Sequence, residues 1–321
     1  MISVNKNTIA KVEYLIEHAE ALGCKYYVLE NGTKVVDMGI ACRGGWEAAR
    51  LFTEIDMACL GTCTYGNHDL GEGLSVPTVK IHVDNVQLGC LLSQIAGLKL
   101  TDGAFAAIGS GPARALAADK SDHCFEYHAY RDQSDIAILG LQMEVQPDIA
   151  LANKAAEVCK VKPENLYLLV HATTSMVATV QVSARIIEQT VNKMIAKGFN
   201  LDNIVFARGW CVVSPVVNNE LDAMGKINDA LLYGGESDFW VECEDAEIEE
   251  VIGKLVTEHA KDYGRLFVDM FVEADKNFYN MDLDIHSPAK VQIYNMKTGN
   301  VFRAGAIRND IIIKSFFNNH K

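Results

Sequence analysis

At 321 residues the chain is longer than a single hydrophobic core ordinarily organises, and two domains are expected. Hydrophobic residues make up 49% and charged residues 22%, a composition that excludes an intrinsically disordered chain. The formal net charge of −13 argues against a nucleic-acid backbone or an anionic lipid surface as partner; it serves solubility first and also attracts a cationic reactive centre.

No apolar run reaches the roughly 20 residues that span a bilayer. Residues 1–6 lack the apolar stretch and small-residue cleavage site of a signal peptide, so the expected location is cytoplasmic. The nine cysteines are scattered without repeated spacing, as expected of thiols in a reducing compartment. Cys59 and Cys63 are the closest pair, with His68 and Asp69 nearby. No second clustered pair follows, and His82, Cys124 and His128 do not supply one, so no metal is expected.

The chain opens with a predicted helix. Ile9, Val12, Leu15, Ile16 and Ala19 recur at helical spacing, with Asn7 or Thr8 as N-cap and Gly23 as stop. Residues 26–29 and 34–36 flank Asn31-Gly32, a type I′ hairpin signal. Arg43-Gly44-Gly45-Trp46 leads into a short helix over 47–52, residues 79–83 read as a strand, and 88–96 read as a helix.

Strands and helices then alternate: strand 104–108, a helix opened by Gly111-Pro112-Ala113, strand 136–141, helix 149–158, strand 166–170, a long helix ending near Gly198, and strand 204–207. Helical spacing returns at Ile248, Val251, Ile252, Leu255 and Val256, and residues 291–294 and 301–303 flank a turn at Lys297-Thr298-Gly299. Each hairpin is followed by a glycine and an isoleucine, Gly39-Ile40 and Gly305-Ala306-Ile307. This echo predicts that the two ends pack together. The expected division is 1–86 with 235–321 as a discontinuous terminal domain and 87–234 as a central α/β domain.

Three segments have the residue types for chemistry. On the long helix, Val177, Val180, Ala184, Ile187, Val191 and Met194 form the core stripe, and Gln181, Arg185, Glu188 and Asn192 the neighbouring one. The i, i+3 spacing sets Arg185 beside Glu188, a carboxylate kept ionised by a fixed cation and able to take a proton from water. From spacing alone, an exposed helix ion pair is the commoner meaning of such a pair. In the second segment, Gly109-Ser110-Gly111-Pro112-Ala113-Arg114, glycines admit a ligand to the backbone. The helix start offers N–H groups to an anion, with Arg114 in the first turn. The same residues equally describe a tight strand-to-helix turn. Arg114 stands where a dinucleotide fingerprint needs Gly or Ala, and no phosphate-loop Gly-Lys-Ser/Thr is present. The third, Ser214-Pro215 through Asn218, Asn219 and Lys226 to Asn228-Asp229-Ala230 and Tyr233-Gly234-Gly235, has the composition of a pocket wall, or of a capped loop-helix-loop.

Taken together, Gly109 to Ala117, Arg185 with Glu188, Ser214-Pro215, and Asn228-Asp229-Ala230 with Tyr233-Gly234 stand in the order and approximate spacing of the methenyltetrahydromethanopterin cyclohydrolases. Glu30-Asn31-Gly32, Val36-Asp37 and the segment from Pro288-Ala289 to Gly305 extend the resemblance over nearly the whole chain. Leu98 stands where the family pattern leads one to expect Trp, and Trp210 where a basic residue is common.

The resemblance implies an α/β subunit of the α+β type with two domains, mixed sheets and a ligand cleft between the domains, assembled as a homotrimer. It implies hydrolysis of the cyclic amidinium of a reduced pterin in one-carbon metabolism, linked to methanogenesis, with no metal and no cofactor beyond the tetrahydromethanopterin derivative that is the substrate. Arg185 and Glu188 are the catalytic residues it implies. Substrate contacts are expected at Ser93, Gln94, Gly109, Ser110, Gly111, Arg114, Gln181, Ser214, Asn228, Asp229 and Tyr233. Arg114, Lys99 and Lys226 are candidates for the anionic tail of the substrate. The rival readings are a non-catalytic pterin-binding protein and another one-carbon enzyme on the same carrier; a dehydrogenase would need a redox cofactor site, and no motif for one is present.

Overall fold

A computed structural model describes residues 2–95, 98–102, 105–117, 124, 127–277 and 280–317. The chain divides into two compact units, 1–62 with 87–181 and 63–86 with 182–321. Both are mixed α/β.

The first unit is built on a six-stranded mixed sheet in the order β1-β2-β8-β7-β6-β5. β1 (Lys25–Val28) and β2 (Lys34–Asp37) form the expected hairpin. The turn is not type I′, which needs positive φ at both central residues. Gly32 has φ +88° but Asn31 does not share the left-handed region, and the loop closes through Leu29 N–H to Thr33 O at 2.9 Å. β7 (Ala137–Gln142) and β8 (Leu166–His171) run parallel, joined by α4 (Ile149–Cys159), and β2 runs parallel to β8 on its other side. β5 (Leu98–Asp102), absent from the sequence expectations, and β6 (Phe105–Ser110) extend the sheet antiparallel. Position 104, the expected start of that strand, lies outside the described residues, as do 96 and 97.

The core of this unit sets Leu139, Leu141, Leu166, Leu168 and Val170 against Leu151, Ala152, Ala155 and Cys159 of α4. α1 (Val4–Glu17) is capped by Ser3, whose side chain accepts from Lys6 N–H, rather than by Asn7 or Thr8. Asn5 is wholly buried and bonds Pro112 O, Asp132 Oδ2 and Ile138 N–H, fixing the helix to the sheet. α2 (Trp46–Asp56) also packs on β7. The expected helix after residue 88 is a π-helix, Gln87–Gln94.

The second unit has a six-stranded sheet in the order β12-β11-β10-β9-β4-β3. β4 (Leu74–Val83) is longer than expected. β3 (Gly61–Gly71) and β10 (Gly235–Val241) were not expected, and β9 (Ile204–Val212) pairs antiparallel with both β4 and β10. β11 (Lys290–Asn295) and β12 (Val301–Gly305) are the second hairpin.

The two terminal hairpins belong to different sheets, β1-β2 to the first and β11-β12 to the second. The unit boundaries also differ from the expected 1–86/235–321 and 87–234 division. β4 is held by β9 and β3 by β4, so both travel with the C-terminal half, and the chain changes unit again at 181–182.

Candidate active site

The expected long helix is broken. α5 (Met176–Ser183) ends, Ala184 and Arg185 form a turn, and α6 (Ile186–Ala196) begins. The core stripe survives the break, since Val177, Val180, Ala184, Ile187, Val191 and Met194 are all buried. Arg185 is the residue preceding α6, with φ −77° and ψ 10°; its N–H donates to Val182 O at 3.0 Å and its carbonyl accepts from Gln189 N–H at 2.8 Å. Glu188 thus lies in the first turn of a helix rather than mid-helix, where the positive end of the helix dipole favours a carboxylate.

Arg185 Nη1 stands 3.2 Å from Glu188 Oε2, with the two side chains only 14% and 13% exposed. An exposed helix ion pair contributes little; this pair is largely shielded from water, where its attraction is less screened.

Two glycines seat this turn. A Cβ on Gly209 of β9 would lie 2.7 Å from Ile186 Cγ2, and one on Gly235 of β10 would collide with Ile186 Cδ1. Ile186 therefore presses directly on backbone, with no exposed surface. Ser183 Oγ donates to Val212 O at 2.9 Å, and Thr190 Oγ1 bonds Ile186 O and Ser237 Oγ, both at 2.8 Å. Lys193 Nζ and Lys197 Nζ both reach Asp284 Oδ1 at 2.7 Å, and these hydrogen bonds hold the Asp284 carboxyl down at about 2. Sequence reading missed this support. Its signal was the pair of glycines, each beside strand-forming residues.

The third segment is a helix, α7 (Glu220–Gly234), capped by Asn219. Asn228 Nδ2 donates to Met224 O at 2.9 Å. Asp229 is 1% exposed; it accepts from Phe267 N–H at 2.8 Å and from Ser315 Oγ at 2.7 Å. Burial raises its carboxyl to about 6. Tyr233 is fully buried and donates to Arg265 O at 2.6 Å. Lys226 is buried with its ammonium on Ser315 O, away from the role of tail anchor. Through Asp229, Tyr233 and Lys226, side-chain polar atoms tie α7 to α8 (Phe267–Glu273), its flanking loop and α9 (Asn309–Phe317). Ser214 is buried, and its Oγ has no hydrogen-bond partner among the described residues.

In the first unit, the glycine turn is clamped onto the π-helix. Gly111, at φ +97°, donates its N–H to Ser93 O at 2.6 Å, Ser93 Oγ donates to Leu88 O, and Arg114 Nη1 reaches Leu91 O at 3.4 Å. Ser110 Oγ donates to Asp56 Oδ1 at 2.7 Å. Ser93, Gln94, Gly109, Ser110, Gly111, Arg114 and Gln181 are all buried. The helix opened by Pro112, α3 (Arg114–Ala117), has four residues. The N–H groups of Ala113, Arg114 and Ala115 are engaged by Ile138 O, Gly111 O and Pro112 O, so the anion cradle expected at this helix start is replaced by a closed turn. The side chain of Lys99 lies outside the described residues.

The structure thus brings Ser93, Ser110, Gly111 and Arg114 together in the first unit, and in the second it pairs Arg185 with Glu188. Among the described residues, no three His, Cys, Asp or Glu side chains cluster as a metal-binding set.

A family model described as cyclohydrolase (MCH) matches residues 3–316. The chain belongs to the cyclohydrolase (MCH) family. Among its relatives, the methenyltetrahydromethanopterin cyclohydrolase of Methanothermobacter marburgensis is 38% identical over 321 residues, covering 98% of this chain and 99% of the relative. The enzymes of that name from Methanocaldococcus jannaschii and Methanococcoides burtonii are 36% and 32% identical, each alignment covering 98% of both chains. These similarities span both units, including every candidate residue above.

Proposed function

We propose that this chain hydrolyses the cyclic amidinium of 5,10-methenyltetrahydromethanopterin, or a close relative of that carrier, to the 5-formyl compound, reversibly. The observation that carries the reading is the shielded Arg185–Glu188 pair at the start of α6, in a chain 38% identical end to end to an enzyme of that name. The methenyl carbon bridges two nitrogens and shares their positive charge. Water attacks this carbon as Glu188 takes one of its protons. The resulting adduct breaks one C–N bond as its hydroxyl gives up its proton and becomes the carbonyl; the bond's electron pair goes to the departing nitrogen, which takes up a proton, and the carbon remains on the other nitrogen as formyl. One proton is released overall. Arg185 orients Glu188 and favours its ionised form, and it faces the oxygen of the adduct as charge develops.

The substrate contacts proposed are Gln181, Ser214 and Asn228, together with Ser93, Gln94 and the 109–114 turn. Ser214 is supported by its unmatched buried hydroxyl. Asp229 and Tyr233 would have to leave intramolecular bonds to touch substrate, and their proposed role is to hold α7. The reaction needs no cofactor. Among the described residues no helix is long and apolar enough to cross a membrane; a cytoplasmic homotrimer is proposed.

The test is loss of methenyl absorbance when purified protein is added without nucleotide. Hydrolysis above the spontaneous rate supports the reading. Tight binding of the pterin without turnover would make the chain a binding protein, and turnover that depends on an added one-carbon acceptor would make it a transferase.

A further inference from the structure

The face of the second sheet opposite α6 is accessible to solvent and plays no part in the chemistry above. Gly209 and Gly235 point at Ile186 of α6, so strand alternation turns Phe206, Arg208 and Trp210 of β9 and Glu236, Asp238 and Trp240 of β10 to the other side. The ladders extend these positions across the sheet in rows. Phe206, Trp240, Tyr294 and Val301 form one row; Arg208, Asp238, Gln292 and Arg303 form the next.

The first row is an aromatic plate. Phe206 and Trp240 have ring centroids 5.2 Å apart, and Trp240 and Tyr294 are 4.7 Å apart with their planes at 9°. All three rings are only half-buried, and Val301 at the sheet edge is 54% exposed. The second row braces the plate. Arg208 Nε donates to Asp238 Oδ2 at 2.7 Å, Gln292 Nε2 donates to Asp238 Oδ1 at 3.0 Å, and the Arg208 guanidinium lies 5.7 Å from the Trp240 ring centre. Side chains already held in place lose little freedom on association. The solvated face of an antiparallel sheet ordinarily turns polar residues outward. Aromatic residues and Arg are instead what the buried centres of protein interfaces are rich in.

Charge selects the partner. In the paired registers of β4 and β9 to β12, this face carries Lys80, Arg208, Lys290 and Arg303 against Glu236 and Asp238, an excess of positive charge on a chain of net charge −13. Arg303 is exposed and enters no ion pair among the described residues. The matching surface is on the same unit, in the segment that follows β10. Glu242, Glu249 and Glu250 are exposed there, and none enters an ion pair among the described residues. The short helix of this segment, Asp245–Val251, buries Ile248 and Val251, which leaves its acids facing outward.

We propose that the aromatic face is the docking surface for a second copy of this chain, which presents its acidic segment 242–250; this inference rests on the homotrimer proposed above. The plate supplies apolar area, and the charges decide which surface it meets. Unlike surfaces meet in such a contact, and repeated contacts of that kind close a ring of three, whereas a self-complementary patch closes a pair.

The experiment is sedimentation velocity on the full chain over a concentration series, for the wild type, Val301→Asp, Arg303→Glu, the double variant Glu249→Lys/Glu250→Lys, and that double variant combined with Arg303→Glu. Wild type should sediment as three chains. Val301→Asp, Arg303→Glu and the lysine double variant should each weaken assembly at least about tenfold, because like charges then face each other. The combined variant, with the charges exchanged, should regain the trimer. Val301 and Arg303 are exposed on an edge strand, so unchanged melting of the dissociated variants shows that folding is intact. A trimer unaffected by Val301→Asp and Arg303→Glu overturns the proposal and leaves the homotrimer standing on another surface. A combined variant that stays dissociated overturns the acidic segment as the occupant. A wild type that is a single chain at every concentration removes both the surface and the homotrimer. None of these outcomes depends on whether the chain hydrolyses the pterin.

Discussion

Glu188 and Arg185 were legible in the sequence as a pair because i, i+3 spacing survives any helical context. Their meaning was not, because shielding depends on what packs around the helix start. If Glu188 is the base, Glu188→Gln keeps shape and hydrogen bonding but cannot take the proton. Turnover should fall by about 10²–10⁴-fold while pterin binding persists, measured as steady-state hydrolysis with the spontaneous rate subtracted at each pH. Near-normal turnover in this variant would reassign Glu188 to a purely structural ion pair. Asp229 shows the opposite case. Its position beside Asn228 read as a pocket wall, yet the folded chain buries it against Phe267 and Ser315. Burial raises its carboxyl from 3.8 to about 6, with Lys226 and Asp269 as charged neighbours. The folded state then binds a proton more tightly than the unfolded state, so this group's contribution to stability falls as pH rises from about 4 to about 6, by up to about 3 kcal/mol. Asp229→Asn should remove that slope, leaving a melting temperature that no longer drops across this interval for this reason. An unchanged slope would mean that the carboxyl is ionised in the fold throughout.

At the scale of elements, periodicity located α4, β7, β8 and the stripe of α5 and α6, because buried faces repeat at fixed spacing. It did not show the break at Ala184–Arg185, since the apolar stripe runs through it without interruption. The break follows from contacts distant in sequence: Ser183 bonds the end of β9, and Ile186 seats on Gly209 and Gly235. β3 and β10 went unread for a related reason. β3 mixes polar and glycine residues and is stabilised by its partner strand, while β10 follows α7 with no intervening loop. The glycine seat makes a direct prediction. Gly209→Ala places a methyl 2.7 Å from Ile186 Cγ2 and 3.1 Å from Glu236 O, contacts that are relieved only if the start of α6 and the neighbouring strand β10 shift. Overpacking of this kind costs about 1–3 kcal/mol, and it moves the helix start that carries Glu188. The variant should melt lower and turn over more slowly, with kcat reduced more than KM is raised. Its counterpart on the exposed side of α6, Asn192→Ala, should leave both unchanged. If kcat in Gly209→Ala equals wild type despite a lower melting temperature, the seat holds the fold but does not aim the carboxylate.

For the whole molecule, two-unit organisation was legible from length and from strand–helix alternation, while the boundaries were not. A strand's unit is decided by its hydrogen-bonding partner, and the partner of β4 is β9, more than a hundred residues away in the chain. The echo between terminal hairpins was a local likeness of turns, which carries no information about which sheet receives them. Net charge acts at this scale as well. Each copy carries −13, so bringing three copies into the proposed homotrimer opposes like charge, and added salt screens that repulsion over about 10 Å at 0.1 M. Light scattering during gel filtration should therefore give three times the chain mass at moderate and high salt, with smaller species gaining at low ionic strength and low protein concentration. Turnover followed over the same dilution series separates two cases. If activity falls together with the trimer, assembly contributes to the working site; if activity per chain is constant, each copy is complete by itself. A single-chain mass at every salt concentration, with full turnover, would remove the trimer from the proposal while leaving the hydrolytic chemistry in place.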